Sequence, residues 1–405
     1  MQYAAVADYL EKLQGENSKL SLDNIGLIIA NLPFTIGSAK YIQVAGTNGK
    51  GSTSHFIAAI LRKAGWRVGL FTSPHLQDVR ERISLNGRLI SRRDFAVAIS
   101  AVDDIGQDLL RRKVIVNQPT FFETVFLAAL IHFNKSRADW AVLEVGLGGR
   151  LDATSTVIPE VAVITNIAMD HTHILGKTLA AIASEKAGVC KKNIPLVSGC
   201  PHASIAGRVI GQAAREKKAP LHEVFVPPGG LNVEKKWRSY LCHYRSSRRR
   251  YSYRVYLKGR HQAVNAAVAV KTVEVLKGLG WNIPEPAISC GIKNMFIPAR
   301  IEFLGGRPPV ILDGAHNPDG IRVLVDFLRE EGICAFTLIF GVLGDKHYPA
   351  MARQLAPMAT HVILTAPPGA RALAPEKLLP FFTQSDCRIE LDFSKALAIA
   401  KKLKR

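Results

Sequence analysis

At 405 residues the chain exceeds the usual size of one domain, so two domains are expected. Its 48% apolar and 21% charged content is ordinary for a globular protein, and no run reaches the ~18 apolar residues of a membrane span. The net charge of +20 raises nucleic acid as a partner, but residues 231–260 alone hold ten Lys or Arg against one Glu, so nearly half of the excess sits in one segment.

In chain order, the opening MQYAAVADYLEKLQGENSKL carries acids early and lacks a basic-then-apolar leader, so a cytoplasmic location is expected. YIQVAG (41–46) reads as a strand and STSHFIAAILRKAG (52–65) as the helix after it. RVGLFTS (67–73), DWAVLEVG (139–146) and VAVITNI (161–167) read as further strands, and TLAAIASEKAGVC (178–190) and HQAVNAAVAVKTVEVLKGLG (261–280) as helices. The alternation around Tyr251, Tyr253, Val255 and Leu257 predicts a β-hairpin with basic, solvated faces within 231–260. The pattern then restarts: PPVILDGA (308–315), AFTLIFGV (335–342) and THVILTAP (360–367) read as strands separated by helical stretches. This predicts a parallel sheet with helices on both faces in a domain over 1–296, followed by a smaller Rossmann-like α/β domain over 297–405. The six cysteines are scattered with no C-x-x-C pair, which argues against a zinc ribbon or a disulfide framework.

Between the first strand and helix stands VAGTNGKGSTSH (44–55). It misses the pattern G-x-x-x-x-G-K-[ST], having Val44 and Gly51 where Gly and Ser or Thr would stand. Its context is nevertheless that of a phosphate loop. Gly46, Gly49 and Gly51 let backbone N–H groups turn toward an anion at a helix N-terminus, Lys50 can reach phosphate oxygens, and Ser52 can face Mg²⁺. Ser73 and His75 follow the next strand. Glu144 closes an apolar strand, where a carboxylate needs a partner such as Mg²⁺ or a structural cap. Asp170 and His171 follow another strand, with a satisfied core histidine as the plainer reading of His171. Asp313 can likewise be a helix cap, and Asp345 and Lys346 simple surface charge.

Together GTNGKGS, TSPHL…ERI, TFFET, LEVGLGGRLDAT, DHT…LG, EKAGV, HQ..NA, R.E, DGAHNP and GVL.DK resemble the folylpolyglutamate synthase/dihydrofolate synthase family of the Mur-ligase superfamily, from about residue 40 to about 375. The resemblance implies a shortened G-x-x-G-K loop and an ATP-dependent amide ligase. Its reaction joins L-glutamate to dihydropteroate, and to tetrahydrofolate, through an acyl phosphate. It implies Thr47, Asn48, Gly49, Lys50, Gly51, Ser52, Asn265, Arg300 and Asp313 at ATP, the last three holding the nucleotide across a domain cleft. It also implies Ser73, Glu144 and His171 at magnesium, with two ions in all, and Lys186 as a carbamate. Lys50, Lys186 and His316 form the implied catalytic group. Thr120, Phe121, Phe122 and Glu123, with Leu151, Asp152 and Ala153, match the dihydropteroate site, although Phe121 and Phe122 can equally be core aromatics.

Three features depart from the family pattern: SLDNIGLIIANL lacks its G-L-x-R start, Ser155 stands where Asn is usual, and the closing SKALAIAKKLKR lacks its last strand and helix. The expected protein is a monomer acting on small molecules, not on membranes or nucleic acid. The alternatives are a folylpolyglutamate synthase alone, or a folate- and nucleotide-binding protein with impaired turnover.

Overall fold

The computed structural model describes residues 1–13, 21–32, 34, 39–227 and 229–403; residues 14–20 of the opening stretch and 404–405 of the closing one lie outside them. The chain divides into two compact units. One comprises Met1–Ile167, Ala180–Tyr256 and Ala263–Met295, the other Ala168–Leu179, Leu257–Gln262 and Phe296–Arg405.

The first unit is built on eight strands: β1 (Lys40–Ala45), β2 (Val68–Phe71), β3 (Ile83–Leu85), β4 (Arg88–Leu89), β5 (Trp140–Glu144), β6 (Val161–Ile164), β7 (Leu196–Ser198) and β8 (Leu221–Glu223). Their order is β4-β3-β2-β5-β1-β6-β7-β8. Six neighbours from β2 to β8 run parallel, whereas β3 and β4 pair antiparallel at one edge. The expectation of a parallel sheet is corrected there to a mixed one. The reason is local: Asn86 and Gly87, with φ of 50° and 78°, turn the chain directly back on itself. Asn-Gly is the preferred pair for such a hairpin turn, so the signal was present in ISLNGRLI.

Strands β5 and β6 are buried at every residue, as expected of a sheet covered on both faces. Phe71, Ala141 and Leu143 join one cluster with Phe95, Phe126 and Phe133 from the helices Arg92–Arg111 and Phe121–Lys135. Leu70 and Val142, equally buried, alternate with them and face the other way.

The expected hairpin is present as β10 (Ser239–Arg245) and β11 (Arg250–Val255), and β9 (Gly230–Lys236) extends it to a three-stranded antiparallel sheet. The alternation itself is as read: Tyr251, Tyr253 and Val255 are buried and Arg250, Ser252 and Arg254 exposed. Strand β9 carries only two apolar residues, Leu231 and Val233, and is held by pairing with β10 rather than by a pattern of its own.

In the second unit, β14 (Phe336–Phe340), β15 (Ala359–Leu364) and β16 (Asp386–Ile389) form a parallel sheet. Ile321, Val325 and Leu328 of the helix Pro318–Glu330 share its core with Val362, Leu364 and Phe382. The strand read at 308–315 does not join this sheet. As β13 (Val310–Leu312) it pairs antiparallel with β12 (Glu302–Leu304) in a separate ribbon. No helix among the described residues is long and apolar enough to cross a membrane. All six cysteines are free thiols.

Candidate functional site

Strands β5, β1 and β6 are adjacent and parallel, so their carboxyl ends open side by side. This is the edge at which open α/β sheets bind ligands. Each strand leads there into polar chain: the loop 46–49 after β1, Glu144 at the end of β5, and Thr165 and Asn166 after β6.

The loop is fastened from below. Thr47 N–H donates to the Asn166 carbonyl at 2.9 Å and Asn48 N–H to Asn166 Oδ1 at 2.8 Å, while Thr165 Oγ1 donates to the Asn48 carbonyl at 2.7 Å. The N–H groups of Thr47 and Asn48 are therefore spent on Asn166, and the donors facing a ligand come from the start of the helix Lys50–Lys63. Its intrahelical ladder begins only with Thr53 N–H to the Gly49 carbonyl, at 2.9 Å. Lys50 Nζ reaches back to the Thr47 carbonyl at 3.1 Å.

The glycines have distinct reasons. Gly46 and Gly49 have φ of 141° and 79°, and a Cβ on either would run into Thr165 Oγ1 or the Asn265 amide respectively. Gly51 has no such constraint; a Cβ there would meet Glu144 Oε2 at 3.4 Å. Gly49→Ala is expected to cost about 2 kcal/mol or more, from the left-handed backbone and the collision with Asn265. A lowered urea midpoint with unchanged m would register it.

Glu144 is only 4% exposed, and its Oε2 accepts from Ser73 N–H at 2.9 Å. These two sequence-predicted residues meet, and both offer hard oxygens of the kind Mg²⁺ prefers. The donor set thus fits magnesium, although among the described residues no three His, Cys, Asp or Glu side chains gather as a metal cage. Lys186, also 4% exposed, donates from Nζ to the Gly46 carbonyl at 2.8 Å.

Thr120 and Glu123 form a capping box at the start of the helix Phe121–Lys135: Thr120 Oγ1 accepts from Glu123 N–H, and Glu123 Oε2 from Thr120 N–H. T-x-x-E is a sequence signature of that structural role. Phe121 and Phe122 are half-buried against the core cluster that also holds Ala153, and Phe122 meets Phe71 edge-on at 5.5 Å. Asp152 is buried, accepts from Leu147 N–H and Thr154 N–H, and has its pKa raised by burial. Leu151 is half-buried beside it. Ser155, the departure from Asn, accepts from Gln43 Nε2 at 2.9 Å and donates to the Gly149 carbonyl, so it anchors the glycine turn.

Arg82 received no role from sequence. Its side chain is 9% exposed, Nε donates to His75 Nδ1 at 2.9 Å, and the guanidinium lies 5.0 Å from the Phe121 ring centre. Burial pulls its pKa down to about 10, against the opposing attraction of Glu144.

The second unit gathers its own polar group around Asp170, 8% exposed. Lys346 Nζ donates to Asp170 Oδ1 at 2.7 Å, Asn317 Nδ2 to Oδ2 at 3.0 Å, and His171 N–H to Oδ1 at 2.8 Å. His316 Nε2 stands 3.7 Å from Oδ2, and Lys346 Nζ 3.2 Å from His171 Nε2. Lys346 is thus a buried, paired cation, which corrects the surface-charge reading; its neighbour Asp345 is exposed as that reading had it. Asp313 accepts from Ile301 N–H at 2.8 Å and Ala315 N–H at 2.9 Å, with Arg300 against Gly314 beside it, and burial raises its pKa.

Residues 44–273 match the family model of the Mur ligase middle domain, and residues 299–404 that of the Mur ligase glutamate ligase domain. The dihydrofolate synthase/folylpolyglutamate synthase of Bacillus subtilis is 34% identical over 84% of this chain and 80% of its own length. The chain belongs to the folylpolyglutamate synthase/dihydrofolate synthase family of Mur ligases. A Haloferax volcanii relative, a probable bifunctional folylpolyglutamate synthase/dihydropteroate synthase, is 35% identical over 90% of this chain, which spans only 43% of that relative's length. A Mycobacterium tuberculosis folylpolyglutamate synthase solved with ADP superposes with a TM-score of 0.90 at 28% identity, covering 98% of this chain and 90% of its own.

Proposed function

We propose that the chain is an ATP-dependent ligase joining L-glutamate to dihydropteroate, and to tetrahydrofolate, through an acyl phosphate. The observation that carries this reading is the convergence of the phosphate loop and buried Glu144 at adjacent strand ends, in a member of this family. A carboxylate oxygen of the pterin substrate attacks the γ-phosphorus of ATP, and ADP leaves. The neutral amine of glutamate then attacks the acyl carbon, loses a proton, and phosphate departs with the former carboxylate oxygen.

The first helical turn and Lys50 bind the phosphates and offset charge moving onto the leaving ADP. Glu144 and Ser73 would hold magnesium, which when bound neutralises phosphate charge and makes the phosphorus more electrophilic. Lys186, carbamylated as the family resemblance implies, would exchange a repelling ammonium for an anion. Phe121 offers a wall for the pterin, and Arg82 adds positive potential toward a carboxylate. By the family resemblance, Arg300 and Asp313 would bind the nucleotide, His171 would serve magnesium, and His316 would act on the reacting groups.

The test is phosphate release with ATP and Mg²⁺, adding pterin substrate and L-glutamate separately and together. Release that needs dihydropteroate and glutamate at once supports the full reading. Release only with tetrahydrofolate and glutamate narrows it to folylpolyglutamate synthase, and no stimulation by either pair overturns it.

A further inference from the structure

An open pocket lined by both apolar and charged residues lies at the opposite end of the first unit's sheet. The phosphate loop follows the carboxyl end of β1, whereas Pro195 and Pro220 immediately precede β7 and β8, strands that run in the same direction. Together with Val275 and Leu279 the two prolines wall a cavity of about 140 Å³. That is room for several water-sized groups.

The polar lining is Lys271, Glu274, His222 and Arg248. Lys271 is 4% exposed, and its ammonium has three donors; Glu274 Oε2, at 3.1 Å, is its hydrogen-bond acceptor. The other oxygen of Glu274 accepts from Ser246 Oγ at 2.7 Å, so that carboxylate is already shared. Among the described residues, the side chains of His222 and Arg248 have no hydrogen-bond partner. Two cations thus face one carboxylate across apolar walls, with an imidazole able to donate a further bond. Lys271, the buried member, keeps donors beyond the one given to Glu274, which is costly unless a ligand or water satisfies them; half-buried His222 and exposed Arg248 line the same pocket and can share that ligand.

We propose that this cavity binds a small inorganic oxyanion of the sulfate or phosphate type, seated between Lys271 and Arg248 with His222 donating from the wall. Arg248 stands on the turn between β10 and β11, at the cavity mouth, so the site gives one part of the basic segment a use that its bulk charge did not reveal. It is independent of the ligase chemistry.

The experiment is a sulfate titration at constant ionic strength, following the histidine ring resonances of protein carrying Lys50→Ala to weaken anion binding at the phosphate loop. His222→Gln identifies the His222 signal by its loss. The expected result is a saturable shift of the His222 signal, with affinity reduced about tenfold by Arg248→Ala and more by Lys271→Met. Arg248 is exposed, so its variant keeps the test valid even where loss of buried Lys271 disturbs folding. A His222 signal that does not respond to sulfate, or an Arg248→Ala protein that binds as tightly as its parent, overturns the proposal.

Discussion

Replacing Lys50 with alanine is expected to lower ligase turnover by about a hundred- to a thousandfold, the range found when one preorganised charge-stabilising donor is removed. The fold should be untouched. Lys50 is half-exposed and donates to a nearby loop carbonyl at 3.1 Å, and the loop's shape depends on Asn166, Thr165 and the two left-handed glycines. Circular dichroism and the urea midpoint should match the parent while phosphate release collapses. Near-normal turnover in a folded Lys50→Ala protein would contradict the assignment of the loop.

The second large effect is on stability. Removing the Asp170 carboxylate with Asp170→Ala leaves Lys346, a cation only 9% exposed, without its carboxylate partner. Breaking a buried pair from one side costs about 3–5 kcal/mol. The second unit should therefore unfold at a markedly lower urea concentration.

The same group predicts an acid response. Burial alone would raise the Asp170 pKa, but His171, Lys346 and Asn317 together hold it down, at about 2 against an ordinary 3.8. A depressed carboxylate stabilises the folded state above its unfolded pKa, and that contribution fades as pH falls from about 4 through about 2. Its full size is roughly 2 kcal/mol, less what solvent screening removes. Asp170→Ala should show a correspondingly shallower loss of stability over this window, and an equal loss in both proteins would disprove the assignment.

What was legible in the sequence was local. GTNGKGS between a strand and a helix carries its own backbone requirements, so the loop could be read without knowing its surroundings. The end of β5 was found because Glu144 closes an apolar run; β6 ends at Ile164, short of the strand read to 167, so Asp170 marked a polar group of the second unit and not the strand's end. What escaped depends on distant partners. Asn166 looks like an ordinary loop residue until it is seen taking the N–H groups of Thr47 and Asn48. Arg82 stands in the ERI of the family motif yet received no role, because nothing local tells a buried arginine from an exposed one. Lys346 pairs with a residue 176 positions away. Strand β9 failed for a related reason, since its register comes from β10 and not from its own periodicity. The Asn86-Gly87 turn and the Thr120–Glu123 capping box are different: both are recognisable short-range signals that a motif-first reading passed over.

In the proposed reaction the pterin carboxylate is phosphorylated before glutamate attacks. Dihydropteroate labelled with ¹⁸O at both carboxylate oxygens, incubated with ATP, Mg²⁺, L-glutamate and the protein, tests it directly. One labelled oxygen is expected in the released phosphate for each dihydrofolate formed, because the acyl phosphate carries that oxygen away. Dihydrofolate formed alongside unlabelled phosphate would contradict it.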